Sequence, residues 1–347
     1  MSLSLLSYYF RKVAPFVIIG VLIFIGIFGI TRVFFSVKKT VTTPSTINKQ
    51  FGALAPPIFN HKIGYPAGAT FALDNIEGRP TTATDEAKVY FIPPIATKFG
   101  YAQKIYSMAK NAGFNTKNVS YFLDGTHAIF EDSLQKITID ISYFNFEYKY
   151  AYENHPELFL RPSAIDETTV KERAADFFRL LGKYPNQLSL GTQNITYMHY
   201  NSETKGLDVV TNPKLANVVE VDFFRADIQN GEQTYPVVSP KYYTSENYVV
   251  MTLDIVSPKI IKAQMHFFET DDTNTGVYPL KTGDEAWAQF LANKGTIVTP
   301  GGGSYPITIK KMFLAYYETD VYESYLQPLY VFLGENNFVA YVSAVKN

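Results

Sequence analysis

The sequence predicts an α+β fold: antiparallel sheets with a few short helices packed on one face, in repeated α-β-β(-β) units, behind an N-terminal transmembrane helix. Three observations predict it. Residues 13–30 form an unbroken run of 18 residues without a charged or strongly polar side chain. Further on, a short amphipathic helix pattern, a glycine stop and two or three strand patterns recur three times. Those strand patterns alternate with period two, and 16% of the chain is aromatic, with 26 Tyr and 27 Phe against one Trp. Flat rings of this kind suit pleated, half-buried surfaces.

As a helix, the apolar run spans about 27 Å, close to a hydrocarbon core of about 30 Å. Val33, Phe34 and Phe35 extend it when Arg32 snorkels to the interface. Pro15 falls in the first turn, where a helix tolerates it. Tyr8, Tyr9 and Phe10 suit headgroup level. A cleaved signal peptide has a shorter apolar region ending in a small-x-small site. This run ends in Thr31-Arg32-Val33-Phe34-Phe35, so the expectation is an uncleaved signal anchor over 13–35. Residues 1–12 then form a short cytoplasmic tail, and the body stands outside the cytoplasm. The basic residues flanking the helix, two before and Arg32, Lys38 and Lys39 after, lean the other way. An N-terminal anchor ahead of a long domain is an export device, and that decides the expectation. The lipid bilayer is thus the first expected partner.

The charge is unevenly placed. Residues 1–73 hold seven basic residues and no acid, so a total of −1 leaves −8 on residues 74–347. A basic, membrane-flanking head with an acidic body does not suit nucleic acid, which requires a basic face. The absence of cysteine excludes disulfides, thiol catalysis and cysteine metal sites.

After the anchor, residues 36–86 read as a Thr-, Pro- and Lys-rich extended stalk (36–60) and an irregular lead-in. Three α/β units follow, at 87–160, 161–245 and 246–347. Their helices fall near 98–112, stopped by Gly113; near 167–181, between Asp166 and Gly182; and near 283–294, with a capping box from Thr282 to Glu285 and a stop at Gly295. Between them, Val219, Val221 and Phe223 alternate with Glu220 and Asp222. Met251, Leu253 and Ile255 alternate with Thr252 and Asp254, and Ile261, Ala263, Met265 and Phe267 with Lys262, Gln264 and His266. One face of each strand is expected to be buried and the other wet. Within 137–150 the apolar set changes phase, from Ile137, Ile139, Ile141 and Tyr143 to Phe144, Phe146, Tyr148 and Tyr150, which predicts a bulge. The chain closes in a hairpin, 329–333 and 338–345, around Gly334-Glu-Asn-Asn337.

In the last unit, DEAWAQFLANKG (284–295), ITIKKMFLAYYET (307–319) and LQPLYVFLGENNFVAYVSAV (326–345) place a helix, a strand ending in Tyr-Tyr, a Pro-led strand and a final hairpin strand in order. This pattern is similar to the C-terminal part of the YycH/YycI family and resembles PepSY-type modules. The resemblance implies a membrane-anchored extracytoplasmic regulator that binds a membrane protein, as YycH/YycI proteins bind a sensor histidine kinase. It carries no catalytic residues over. Through FGALAPPIF (51–59) and AKVYFIPP (87–94) the chain also resembles uncharacterised single-pass envelope proteins of candidate-phylum bacteria.

No residue pattern stands out as catalytic. The histidines at 61, 127, 155, 199 and 266 never pair at helical spacing and read as surface or edge residues. The acidic stretch from Glu269 to Asn274 places Gly276 like a calcium loop, but Thr282 stands where the closing Glu belongs. It reads as a solvated hairpin loop. Gly301-Gly-Gly303 lacks the Lys-Ser/Thr and helix of a phosphate loop. Trp287, Tyr316, Tyr317, Tyr322 and Tyr325 fall close together in the sequence. They suit core and strand-face positions, or else a partner-binding patch. The expectation is a binding or regulatory ectodomain acting on a membrane or envelope protein, without catalysis or cofactor. An envelope enzyme acting on glycans, or a structural subunit of a cell-surface assembly, are the rivals.

Overall fold

The period-two stretches pair into two large sheets in the computed structural model, which describes residues 47–346 except 61–62, 98, 161, 163–164, 231–232, 255 and 303–304. The expected tail, the anchor over 13–35 and the start of the stalk lie outside the described residues. Among the described residues no helix is long and apolar enough to cross a membrane. Residues from Ile47 onward form one compact unit of mostly β structure with a few short helices.

The chain enters with β1 (Phe71–Leu73), β2 (Glu86–Phe91) and helix α1 (Tyr101–Asn111), then runs through β3 (Phe122–Asp124), β4 (His127–Glu131), β5 (Gln135–Asp140) and β6 (Phe146–Tyr150). Helix α2 (Glu167–Leu181) and the single turn α3 (Asn186–Ser189) lead into β7 (Gln193–Asn201), β8 (Gly206–Val209) and β9 (Val218–Phe223). A small hairpin, β10 (Ile228–Asn230) with β11 (Gln233–Tyr235), precedes β12 (Val237–Val238), β13 (Asn247–Thr252) and β14 (Ile260–Met265). The last part holds β15 (Asp271–Pro279), α4 (Gly283–Leu291), β16 (Thr296–Thr299), β17 (Ile307–Tyr317), β18 (Tyr325–Gly334) and β19 (Val339–Ser343).

Nine strands form one antiparallel sheet in the order β3-β4-β5-β6-β14-β13-β9-β7-β8. Its apolar face is covered by α1 and α2. Ile105, Met108, Val170, Ala174, Phe178 and Leu181 share one core with Ile137, Phe146, Val221 and Met265. Phe178 is fully buried between Phe146 and Phe223, at ring distances of 6.1 and 4.9 Å. Burying a side chain of that size contributes about 1.5–3 kcal/mol. The two helices are tied where the orphan carbonyls of α2 emerge: Lys104 Nζ donates to Gly182 O at 2.9 Å and Asn111 Nδ2 to Leu180 O at 2.6 Å.

The second sheet has eight strands, with a β1-β17-β18-β19-β16 path. Its β17–β18–β19 centre is antiparallel, with Leu314 opposite Tyr330 and Phe332 opposite Ala340. β2 joins the start of β18 and carries β15 beyond it. β1 and β12 both pair with β17, in parallel. Helix α4 packs through Phe290, whose ring stacks on Phe332 at 5.0 Å.

The helix boundaries follow their local signals. Asp166 Oδ1 accepts from the Thr169 amide at 2.9 Å, and Gly182 ends α2 at φ +69°. Thr282 and Glu285 bond reciprocally, at 3.2 and 2.9 Å, as a capping box. The closing hairpin forms as expected, with Leu329 opposite Ser343.

Other expectations are corrected. The phase change in 137–150 is a hairpin turn, not a bulge. β5 and β6 pair antiparallel, and Asp140 turns the chain by accepting from the amides of Ser142 and Tyr143 at 3.1 and 2.9 Å. Residues 47–60 turn between Lys49 and Gly52 and lie along the body instead of standing off it. The Asn48 and Lys49 amides donate to Val277 O, and Leu54 is buried. The acidic stretch after Glu269 belongs to β15, with a register shift between Asp271 and Thr275. The three sequential units are not three bodies: β2 leaves the first for the eight-stranded sheet, and β13 and β14 leave the third for the nine-stranded one. Nor is every strand wet on one face. β14 alternates as expected, but Asp222 on β9 and Thr252 on β13 are buried.

Replacing Thr282 by Ala removes the cap acceptor of α4. The expected loss is about 1 kcal/mol of unfolding free energy, read as a lower denaturation midpoint at unchanged slope.

Candidate functional site

The end of β9 delivers Arg225 to the joint between the sheets, where 5% of its surface remains exposed. Its Nε donates to Glu318 Oε1 at 2.9 Å, just beyond β17. One terminal nitrogen donates to Gln187 Oε1 at 2.6 Å, the other to Phe268 O at 2.5 Å, and the guanidinium lies 4.1 Å over the Phe267 ring. Gln187 passes the connection on, donating to Thr270 Oγ1 at 2.8 Å and to Asp272 Oδ1 at 3.2 Å. Burial pushes the Glu318 carboxyl up, and Arg225 opposes that shift.

Two cavities open on either side of Arg225. The larger, about 660 Å³, lies between the end of β9 and the β12–β17 edge. Its walls are Phe224, Arg225 and Asp227 on one side, Lys311, Phe313 and Leu314 on the other, with Tyr235, Tyr242 and Tyr243 around them. Tyr242 is held at φ +64°, and its ring meets Tyr243 edge-on at 4.8 Å. The smaller, about 450 Å³, has Lys88, Gln187, Asp227 and Asp272 in its lining beside Tyr90 and Ile228. A cleft that combines aromatic rings with a few fixed polar groups is suited to binding.

Comparison with known proteins adds little. No family model and no curated protein matches the chain. Among solved structures it is similar to an uncharacterized protein from Eubacterium rectale ATCC 33656, at a TM-score of 0.37 and 12% identity, over 82% of this chain and 92% of that one. A likeness of that size carries no argument about function.

The five aromatic residues singled out in the sequence do not converge. Tyr316 is fully buried, and its hydroxyl donates to Lys88 O at 2.7 Å. Tyr317 is buried in a different core cluster, 4.9 Å from Phe59, with its hydroxyl unpartnered. Neither ring offers surface to a partner. Trp287 packs on Phe290 and Phe332 beside α4, and Tyr325 on Phe51 and Phe91. Tyr322 lines a cavity of about 480 Å³, stacked on Tyr143 at 5.3 Å.

That third cavity gathers groups the sequence scatters. His266 Nε2 lies 3.5 Å from Glu147 Oε1, and His127 lines the same space. The bond to His266 holds the Glu147 carboxyl below its ordinary range. His127 is exposed at the end of β4, and His266 is part-buried. Among the described residues no group of three His, Cys, Asp or Glu is placed to hold a metal ion.

Asp222 is the other unforeseen group. Burial pushes its carboxyl up to about 7, against the Ser245 amide that donates to it at 2.8 Å; Glu220 and Glu246 raise it further. Glu246 is itself buried, held by Gln264 Nε2 at 2.8 Å and Lys241 Nζ at 3.1 Å.

Two outcomes follow from these groups. Arg225→Met leaves Glu318 buried without its cation and lowers stability by about 3–5 kcal/mol; adding Glu318→Met recovers much of that loss in chemical denaturation. An Asp raised from 3.8 to about 7 on folding binds more protons folded than unfolded across that window. Its contribution is fully present below the unfolded value and falls as pH rises through about 7. Asp222→Asn should therefore flatten the fall in stability between pH 5 and pH 8, by on the order of 1–3 kcal/mol, measured as the pH dependence of the unfolding midpoint.

Proposed function

We propose that the chain is a single-pass membrane-anchored protein whose extracytoplasmic body binds and regulates a membrane or envelope protein without itself catalysing a reaction. The observation that carries the binding part is the cleft of about 660 Å³ at the joint of the two sheets, walled by tyrosines and phenylalanines and rimmed by Lys311 and Asp227. Aromatic walls supply contact area at little rotameric cost, and a few fixed charges supply orientation. The membrane part is supported by the apolar run over 13–30, which has the length of a bilayer span and ends without a cleavage site. The likeness of 284–345 to YycH/YycI proteins supports the regulatory sense, with the N-terminus in the cytoplasm.

A topology reporter that is active only outside the cytoplasm, fused after residue 347, tests the arrangement. Activity is expected from the full chain in the membrane fraction, and loss of membrane retention when residues 1–46 are deleted. A reporter active only in the cytoplasm, or a full chain that fractionates as soluble, overturns the proposal.

A further inference from the structure

We infer that the cleft receives a projecting turn of the partner protein through side chains alone: an apolar ring flanked by one acidic and one basic residue. This rests on the binding-protein reading and names the chemistry of the segment that is held. Three charged residues line the cleft, Arg225, Asp227 and Lys311. Arg225 is committed inside the joint. Its Nε and both terminal nitrogens donate to Glu318, Gln187 and Phe268 O, and 5% of its surface is exposed. One anion and one cation remain for a ligand. Asp227 follows β9, Lys311 stands on β17 in the facing wall, and both are exposed. Among the described residues neither forms an ion pair, with the other or with a third group.

Two unpaired charges of opposite sign on facing walls are neutralised together by a segment that carries the reverse dipole. The surface between them is aromatic. Lys311 Nζ lies 4.9 Å from the Phe313 ring centre, and Phe224 and Tyr242 line the same space. A volume of about 660 Å³ falls within the roughly 300–1,000 Å³ of ligand sites and has room for an apolar ring between two charged side chains. The backbone of β17 takes no part. Met312 and Leu314 are 3% and 2% exposed, so the strand is closed off by the chain itself and only side chains reach the ligand.

One wall of the cleft is held in a costly shape. Tyr242 sits at φ +64°, a left-handed backbone that bulky side chains rarely adopt. The turn around it is clamped. Tyr242 N donates to Ser239 O at 3.2 Å, Ser239 Oγ to Thr244 O at 2.6 Å, and the Tyr341 hydroxyl to Ser239 O at 2.9 Å. Backbone strain that the surroundings enforce collects at ligand clamps and active sites. Here it fixes the next ring, Tyr243, which is 47% exposed and meets Tyr242 edge-on. A rigid, exposed tyrosine on a cleft wall suits the anchoring of a partner.

The test titrates the full chain in detergent with capped tripeptides, followed by nuclear magnetic resonance. Acetyl-Asp-Phe-Lys-amide is the probe. Replacing either of its charged residues by the neutral amide should weaken binding about three- to fivefold, and replacing its Phe by Ala at least about fivefold. Lys311→Glu should move the preference to Lys-Phe-Lys, and Asp227→Lys to Asp-Phe-Asp. The double variant should return it to the dipolar peptide. Tyr243→Ala should weaken every peptide at least about fivefold at an unchanged denaturation midpoint. All three side chains are exposed, so the variants fold. Binding of no peptide, equal binding of the neutral one, or a preference that ignores the charge swaps overturns the inference. So does self-association of the chain that Lys311→Glu abolishes, which gives the cleft to a second copy. If the topology reporter places the body outside while no peptide binds, this recognition falls and the anchored-protein reading stands. A cytoplasmic reporter with charge-swapped preferences gives the reverse.

Discussion

A buried ion pair sets the relation between the two sheets. Arg225 and Glu318 lie at the ends of β9 and β17, nearly sealed from water. Taking both charges out of solvent is expensive and is offset only when the remaining donors are used. Here they are: Gln187, the Phe268 carbonyl and the Phe267 ring take up the rest of the guanidinium. A planar fork satisfied on all sides has one acceptable position. The pair therefore fixes how far β17 stands from the end of β9, and with it the width of the larger cavity.

Asp222 and Glu246 stand near the same joint and carry the opposite cost. Both are buried; Glu246 is paired with Lys241, whereas Asp222 stands beside Glu220 and Glu246 and answers by holding its proton to about neutrality. β9, which carries Asp222, and β13, which begins one residue after Glu246, are interior strands of the nine-stranded sheet. The burial of Asp222 and Thr252 there shows how a strand with a period-two pattern can lose its wet face to a neighbour far away in the chain.

What the sequence disclosed was local. Helix α2 was legible from Asp166 to Gly182 because a cap, an apolar stripe and a left-handed glycine all act within fifteen residues or so. The final hairpin was legible for the same reason. The turn at 141–145 was misread because a bulge and a tight hairpin both shift the apolar phase; the Asp140 side chain on two following amides distinguishes them. Tyr316 and Tyr317 could have been separated from the sequence alone, since neighbours on a strand point to opposite faces. The joint was not legible. Arg225 meets Glu318 across 93 residues, and nothing near either one announces the other. His266 and Glu147 likewise meet only because β14 lies beside β6.

The order of the strands has one more consequence. The polypeptide begins in the eight-stranded sheet, crosses to the nine-stranded one through β3 to β9, returns for β12, leaves again for β13 and β14, and comes back at β15. Neither layer is a contiguous stretch of gene. A recombination breakpoint placed between β2 and β15 would divide at least one layer, and between β3 and β14 both, so neither sheet could be exchanged by a single crossover.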